Sequence, residues 1–240
     1  MERVRMKHLK KIMPFFMIGI VSLLMGNSQQ ETDGIMLKDY PVQSILKDTL
    51  TAEEQENLQS IILLPKGAFD QMEAAVIGKR LNRLPLSLLS KIEEKGIKIK
   101  LFTGKLTDNP TAKQFAGIIP RGYRTTKTWD DVPGIGGGQT VLVKIGSSNK
   151  GSGHGSVNLE LHELAHSIDY KVLNYYSKKE QFISAWNKEK ASLFPQRPYF
   201  LNYPEEYFAE TFAMYYLGGS YKESLKLLAP LTYKQIASIK

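Results

Sequence analysis

Residues 159–169 read LELHELAHSID and set Glu163 between two histidines, His162 and His166, that are four residues apart. On a helix, residues with that spacing are neighbours on one face. Both imidazoles can then ligate one Zn²⁺, with Glu163 beside the metal-bound water as a general base. Given this chain's composition, the pattern arises by chance in roughly one sequence in 200. The bland alternative is a core helix, in which Leu159, Leu161, Leu164, Ala165 and Ile168 form a buried stripe and the imidazoles make ordinary hydrogen bonds. A zinc peptidase needs a third protein ligand, and cysteine cannot supply it. The chain has no Cys and only four His: His8, His154, His162 and His166. The absence of Cys also excludes disulfides and thiol catalysis.

Acids that could complete such a site lie in NYPEEYFAETFAMYYL, residues 202–217. Pro204 suits the first position of a helix, and acids just after it complement the helix dipole, which is reason enough for Glu205. Glu210 is different. It falls past the first turn among Tyr207, Phe208, Phe212 and Met214, where an unpaired carboxylate is costly. It needs a partner, and a metal-ligating His is a suitable one. Glu206 and Glu210 share a helix face, but spacing alone leaves open which Glu binds a metal.

The elements that must position these groups follow from apolar periodicity. SIILLP (60–65) reads as a buried strand, DQMEAAVIGKRLNRL (70–84) as a helix, and about 86–95 as a second helix ended by Gly96. IKIKLFTG alternates as a half-buried strand does, and TVLVKIG (140–146) is another strand. Between them, 103–139 is long, irregular and rich in Gly and Pro, as functional loops are. Helices are expected over about 156–174, 178–193, 203–217 and 220–239, the last broken near Pro230. Residues 29–50 are polar without a sustained period and read as an extension, with the domain running from 51 to 240. Strands and helices first, then a helical half, imply an α+β domain of two lobes with a cleft between them.

The first 28 residues have the layout of a secretory signal: five basic residues, then an uncharged apolar run from Ile12 to Gly26. That run is shorter than the roughly 20 residues needed to span a bilayer, so release is expected, with a cell-surface anchor as the alternative. The segment carries five basic residues and one acid, so half of the net charge of +8 leaves with it. The remaining Lys are interspersed with acids, which argues against nucleic-acid binding.

HELAH followed 40 residues later by EYFAE resembles the Pro-Pro endopeptidases, secreted relatives of the catalytic domain of anthrax lethal factor. The resemblance extends through KIKLFTGKLTD, KTWDDVPGIGG, SNKGSGHGSVNLELHELAHSID and YPEEYFAETFAMYYL, so that it spans nearly all of 55–240. It implies a zincin-like fold with one Zn²⁺ held by His162, His166 and Glu206. It also implies Glu163 as base, Glu210 supporting a ligating His, and Tyr199, seven residues before the third ligand, binding the oxyanion. It further implies an Arg121–Glu205 ion pair beside the substrate and His154 lining the cleft; His154 in a glycine-rich loop is otherwise an ordinary exposed imidazole. A bond between two prolines has no amide N–H, so the cleft must read shape. Tyr123, Trp129 and glycines 136–138 are the candidate readers; for Trp129 core packing is the competing role, and for the glycines turn formation. The implied partner is a proline-rich extracellular protein, without stable membrane association once the signal is gone. Two departures stand out: Gly122-Tyr123 where the family pattern has a Trp, and GGGQT in the glycine-rich loop. Both bear on subsite preference. Rival readings are a lethal-factor-like exported protease with another specificity, and a non-catalytic surface-binding module.

Overall fold

The computed structural model of the 240-residue chain describes residues 33–120 and 126–240. The expected leader over 1–28 lies outside them, as do Arg121 and Tyr123. No described helix is long and apolar enough to cross a membrane.

The fold begins earlier than Thr51. β1 (Ile35–Met36) pairs antiparallel with β2 (Ile62–Leu64), setting Ile35 opposite Leu64 and Met36 opposite Leu63. Leu37, Leu46 and Leu50 are buried around α1 (Ile45–Thr49), so 35–50 is part of the core and not an extension. Three anchors spaced irregularly through turns are too few to show a period, which is why this stretch reads as polar.

α2 (Ala52–Leu58) starts with a reciprocal cap: the Thr51 hydroxyl accepts the Glu54 N–H at 3.2 Å, and the Glu54 carboxylate accepts the Thr51 N–H at 2.9 Å. α3 (Gln71–Leu81) is capped by Asp70, and α4 (Leu86–Glu94) ends at Gly96, whose φ of 66° suits a residue without Cβ. These two helices form the crossover from β2 to the parallel β3 (Lys98–Phe102). β4 (Gly134–Ile135) and β5 (Thr140–Lys144) complete a sheet of order β1-β2-β3-β5-β4, parallel at its centre and antiparallel at both edges. β3 is covered on both faces and not half-buried, with Ile99 and Leu101 in the main core and Phe102 packed with Leu106 and Phe115 in a second cluster; even Lys100 is buried, with its Nζ 3.4 Å from Asp33.

The second half is helical. α5 (Leu159–Ser167) is capped by Asn158, whose Oδ1 accepts the Leu161 N–H at 3.0 Å, and it widens into a π-type turn over Ile168–Val172. That turn leads into two left-handed residues, Asn174 and Tyr175. α6 (Glu180–Leu193), α7 (Pro198–Asn202), α8 (Pro204–Leu217), α9 (Gly219–Leu228) and α10 (Pro230–Ala237) follow. Periodicity does not reveal α7, a single turn started by Pro198. Pro204 does take the first position of α8, as its placement implies.

α5 lies between the sheet and α8. Its Leu161, Leu164, Ala165 and Ile168 join Val141, Val143, Phe208 and Phe212 in one core, each buried leucine contributing about 1.5–3 kcal/mol. On another face the buried Glu160 pairs with Arg80 of α3 at 3.1 Å. The leucine stripe of LELHELAHSID is therefore core, and it leaves the two histidines on a different face. The result is the mixed, two-lobed α+β architecture expected from the element order.

Candidate metal centre and active site

His162 and His166, one turn apart on α5, meet Glu206 in the first turn of α8. The two Nε2 atoms are 3.3 Å apart, and Glu206 Oε2 is 3.3 Å from His162 Nε2 and 3.4 Å from His166 Nε2. Glu206 Oε2 is buried, yet no donor meets it in hydrogen-bonding geometry. The three atoms thus converge on a shared point, and Glu206 Oε2 is left there without a hydrogen bond. A tetrahedral zinc with bonds of about 2.0–2.1 Å has ligand-to-ligand edges of about 3.3–3.4 Å, so this donor triangle matches one face of its coordination sphere.

Glu210, one turn further along α8, resolves the problem of its own burial. Its Oε2 accepts the His162 Nδ1 proton at 3.1 Å, and its Oε1 accepts the Val157 N–H at 3.1 Å. A carboxylate on Nδ1 fixes the His162 tautomer and leaves Nε2 with its lone pair facing the triangle. Without a metal, burial disfavours a charged His162, but Glu206 and Glu210 outweigh it and raise its pKa well above the usual value. His166 is raised in the same way, chiefly by Glu206 against its own burial. Burial would raise Glu206 too; the two imidazoles instead hold it far below the carboxylate range.

Glu163 borders the same cavity. Burial raises its pKa, and the neighbouring His162 and His166 moderate the rise. The cavity, about 580 Å³, is also lined by Tyr199, Glu205, His154 and Trp129. Tyr199 is about half exposed, with its ring 5.8 Å from that of Tyr203, which lines the cavity as well. Burial raises the Glu205 pKa. The Arg121 side of its expected ion pair is outside the described residues, and so is Tyr123.

His154 is not the ordinary exposed imidazole of a glycine-rich loop. Its Nε2–H donates to Ser147 O at 2.8 Å, so Nδ1 accepts from the Ser156 hydroxyl at 2.7 Å; burial lowers its pKa. It staples the loop whose end, Val157, is held by Glu210. Trp129 packs on Phe115 at 5.4 Å in a small apolar cluster and also lines the cavity.

Sequence comparison bears on what this arrangement does. Residues 49–239 match the family model described as anthrax toxin lethal factor, N- and C-terminal domain. The Pro-Pro endopeptidase of Clostridioides difficile is 42% identical over 205 residues, covering 85% of this chain and 92% of that protein. The Pro-Pro endopeptidase of Paenibacillus alvei is 41% identical over 189 residues, covering 78% and 87%. Its solved structure superposes with a TM-score of 0.72 over 75% of this chain and 98% of the other. The chain belongs to the Pro-Pro endopeptidase family. It is accordingly an enzyme, a peptidase, and the silent-module reading falls away.

The structure of this Pro-Pro endopeptidase family member also brings in groups that sequence reasoning missed. Glycines 134 and 136 sit against α5, and the space a side chain would fill at 136 is taken by the backbone of Glu163. The Gly136 backbone amide helps to hold the Glu163 pKa down against burial, and the Gly137 N–H donates to Ser167 Oγ at 3.0 Å. Gly136 is therefore more than a turn-former: it lets an edge strand dock on the helix bearing Glu163. Asp130 gathers Thr107 Oγ1 at 2.5 Å, Thr128 Oγ1 at 2.7 Å and the Gly117 N–H at 2.8 Å, which clasps both ends of the segment between Gly117 and Thr128. The doubled acid in KTWDDV was the available signal. Tyr170, Tyr175, Lys178 and Arg197 also border the cavity, and no spacing rule points to them.

Proposed function

We propose that this chain is a secreted zinc metalloendopeptidase that hydrolyses the bond between two prolines in extracellular or cell-surface proteins. The observation that carries the zinc reading is the buried Nε2–Nε2–Oε2 triangle with its unsatisfied Glu206 oxygen. His162, His166 and Glu206 would hold the ion. When bound, zinc supplies Lewis acidity, lowering the pKa of a water to about 7 and polarising the scissile carbonyl.

The remaining steps belong to the protein. Glu163, which α5 places at the cavity wall, takes a proton from the attacking water and passes it to the departing nitrogen. That nitrogen is the secondary amine of a proline ring and must gain a proton to leave. Tyr199 donates its hydroxyl to the oxyanion, where loss of one donor typically costs about a hundredfold or more. Glu210 keeps His162 in the tautomer that presents Nε2. The two family relatives named Pro-Pro endopeptidase support the choice of bond. Secretion rests on the basic and apolar layout of residues 1–28.

A library of peptides carrying Pro-Pro in varied contexts, assayed with wild type and Glu163→Gln together with metal analysis, tests the reading. One zinc per chain, chelator-reversible cleavage between prolines and an inactive, zinc-loaded Glu163→Gln are the expected results. Equal cleavage of peptides lacking either proline would overturn the specificity. Normal turnover by Glu163→Gln would overturn the mechanism.

A further inference from the structure

Arg197 borders the cavity two residues before Tyr199, and its guanidinium is underused. It lies 5.0 Å from the ring of Phe200, which is itself fixed against Phe194 at 4.4 Å. Among the described residues its side chain makes one hydrogen bond, a long one of 3.4 Å to Gly155 O. Among the described residues no carboxylate is within ion-pair distance of it. Lys178, the other Lys or Arg among the described residues lining the cavity, sits over the Tyr175 ring at 4.7 Å and in the field of Asp169 and Glu205. Arg197 thus brings to the cavity lining a fork of five donors, backed by Phe200 and with one long hydrogen bond among the described residues.

The substrate class makes this fork useful. Each proline removes a backbone N–H and keeps its carbonyl, so a proline-rich segment in extended polyproline form offers acceptors without matching donors. Burying those carbonyls is costly unless the enzyme supplies donors. Guanidinium suits the task because it stays charged at any working pH and cannot itself accept.

We propose that Arg197 is a substrate-binding residue that donates to backbone carbonyls of the proline-rich segment on the Tyr199 side of the scissile bond. This rests on the Pro-Pro endopeptidase reading above. It explains why a cation without a counter-ion stands beside a site dominated by carboxylates.

Two measurements test it separately from that reading. In the first, wild type, Arg197→Met and Arg197→Lys cleave a Pro-Pro peptide and its thioamide scan, in which one carbonyl at a time becomes a poorer acceptor. Arg197→Met should lose about tenfold to a hundredfold in kcat/KM, mainly through KM, with zinc content unchanged. Arg197→Lys should recover part of this. One thioamide position should penalise wild type and leave Arg197→Met indifferent. In the second, a fluorescent Pro-Pro peptide is titrated onto Glu163→Gln with and without Arg197→Met. Should wild type cleave nothing while Glu163→Gln binds the peptide at least about tenfold more tightly than the double variant, hydrolysis fails and the Arg197 assignment stands. Unchanged KM and unchanged binding in Arg197→Met overturn it. A loss seen only with peptides bearing Asp or Glu also overturns it, assigning Arg197 to a side-chain carboxylate.

Discussion

Replacing Gly136 by alanine is the sharpest available test of how the cleft wall positions Glu163. A Cβ at 136 would stand 1.9 Å from the Glu163 carbonyl oxygen, 2.6 Å from its carbonyl carbon and 2.9 Å from its Cα. Non-bonded carbon contacts settle near about 3.5 Å, so the strand and α5 must part by about 1.5 Å. The obstruction is helix backbone, which cannot rotate aside as a long side chain can. Two consequences follow. Overpacking of this kind costs about 1–3 kcal/mol in stability. The parting also displaces Glu163, whose backbone is the obstruction, and misplacing a reacting group by about 1 Å costs about a hundredfold in rate.

The assay is kcat/KM on a Pro-Pro peptide, normalised to the folded, zinc-loaded fraction, with Tm read in parallel. Gly136→Ala should lose about a hundredfold or more in kcat/KM per loaded molecule while the fold survives. Gly67→Ala is the control: nothing lies within 4 Å of its added Cβ, and rate and Tm should stay at wild-type values. Near-wild-type turnover by Gly136→Ala at full zinc occupancy would refute the claim that this glycine exists for close approach to the catalytic helix.

Other perturbations follow from the same contacts. Glu210→Gln cannot accept from both His162 Nδ1–H and Val157 N–H, so one buried donor is stranded; zinc affinity should fall about 10- to 100-fold, and unchanged affinity in chelator competition would contradict the bridge. Asp130→Ala removes the acceptor shared by Thr107, Thr128 and the Gly117 N–H and loosens the cavity wall at Pro120 and Trp129, so KM should rise about tenfold while zinc content holds; an unchanged KM would deny the clasp a role. Protons compete with the metal. The raised pKa values of His162 and His166 stabilise the metal-free fold fully below the unfolded value of about 6.5, and this contribution is lost as pH rises through the folded values. Zinc binding at pH 7 should therefore release protons, and the Tm gap between loaded and metal-free protein should widen with pH; calorimetry in buffers of different ionisation enthalpy reads the release, and none at pH 7 would refute it.

Local signals carried most of the fold and failed where structure is local in space but not in sequence. The caps at Asp70 and Asn158, the stop at Gly96 and the proline at the start of α8 are decided within a few residues, so their elements are legible. Residues 35–50 are not, because Leu37, Leu46 and Leu50 have meaning only against β2 and α3. Lys100 misleads for a related reason: alternation implies an open face, and only the fold shows Leu106 and Phe115 packed with Phe102 on the face that Lys100 shares.

The candidate site divides along the same line. His162, Glu163 and His166 lie within one helical turn and announce themselves by spacing. Glu210 can be inferred as a carboxylate in need of a partner, since a buried charge on an apolar helix is energetically conspicuous. Choosing Glu206 over Glu205 as the third donor needs either a family resemblance or coordinates, because helix phase alone does not say which turn faces α5. The close approach at Gly136 is illegible for a deeper reason. A glycine's purpose is the neighbour that would otherwise be excluded, here the backbone of Glu163 some 27 residues away in sequence. Sequence shows the missing side chain and says nothing of what fills its place. The GIGGGQ run therefore reads as a surface for proline rings, and nothing in it tells that the space a side chain would take at 136 is filled by the backbone of Glu163, although glycines 136 and 137 also line the cavity. Because the clash of an added Cβ is with the helix bearing Glu163, Gly136→Ala should impair turnover for every Pro-Pro peptide alike instead of changing which ones are preferred.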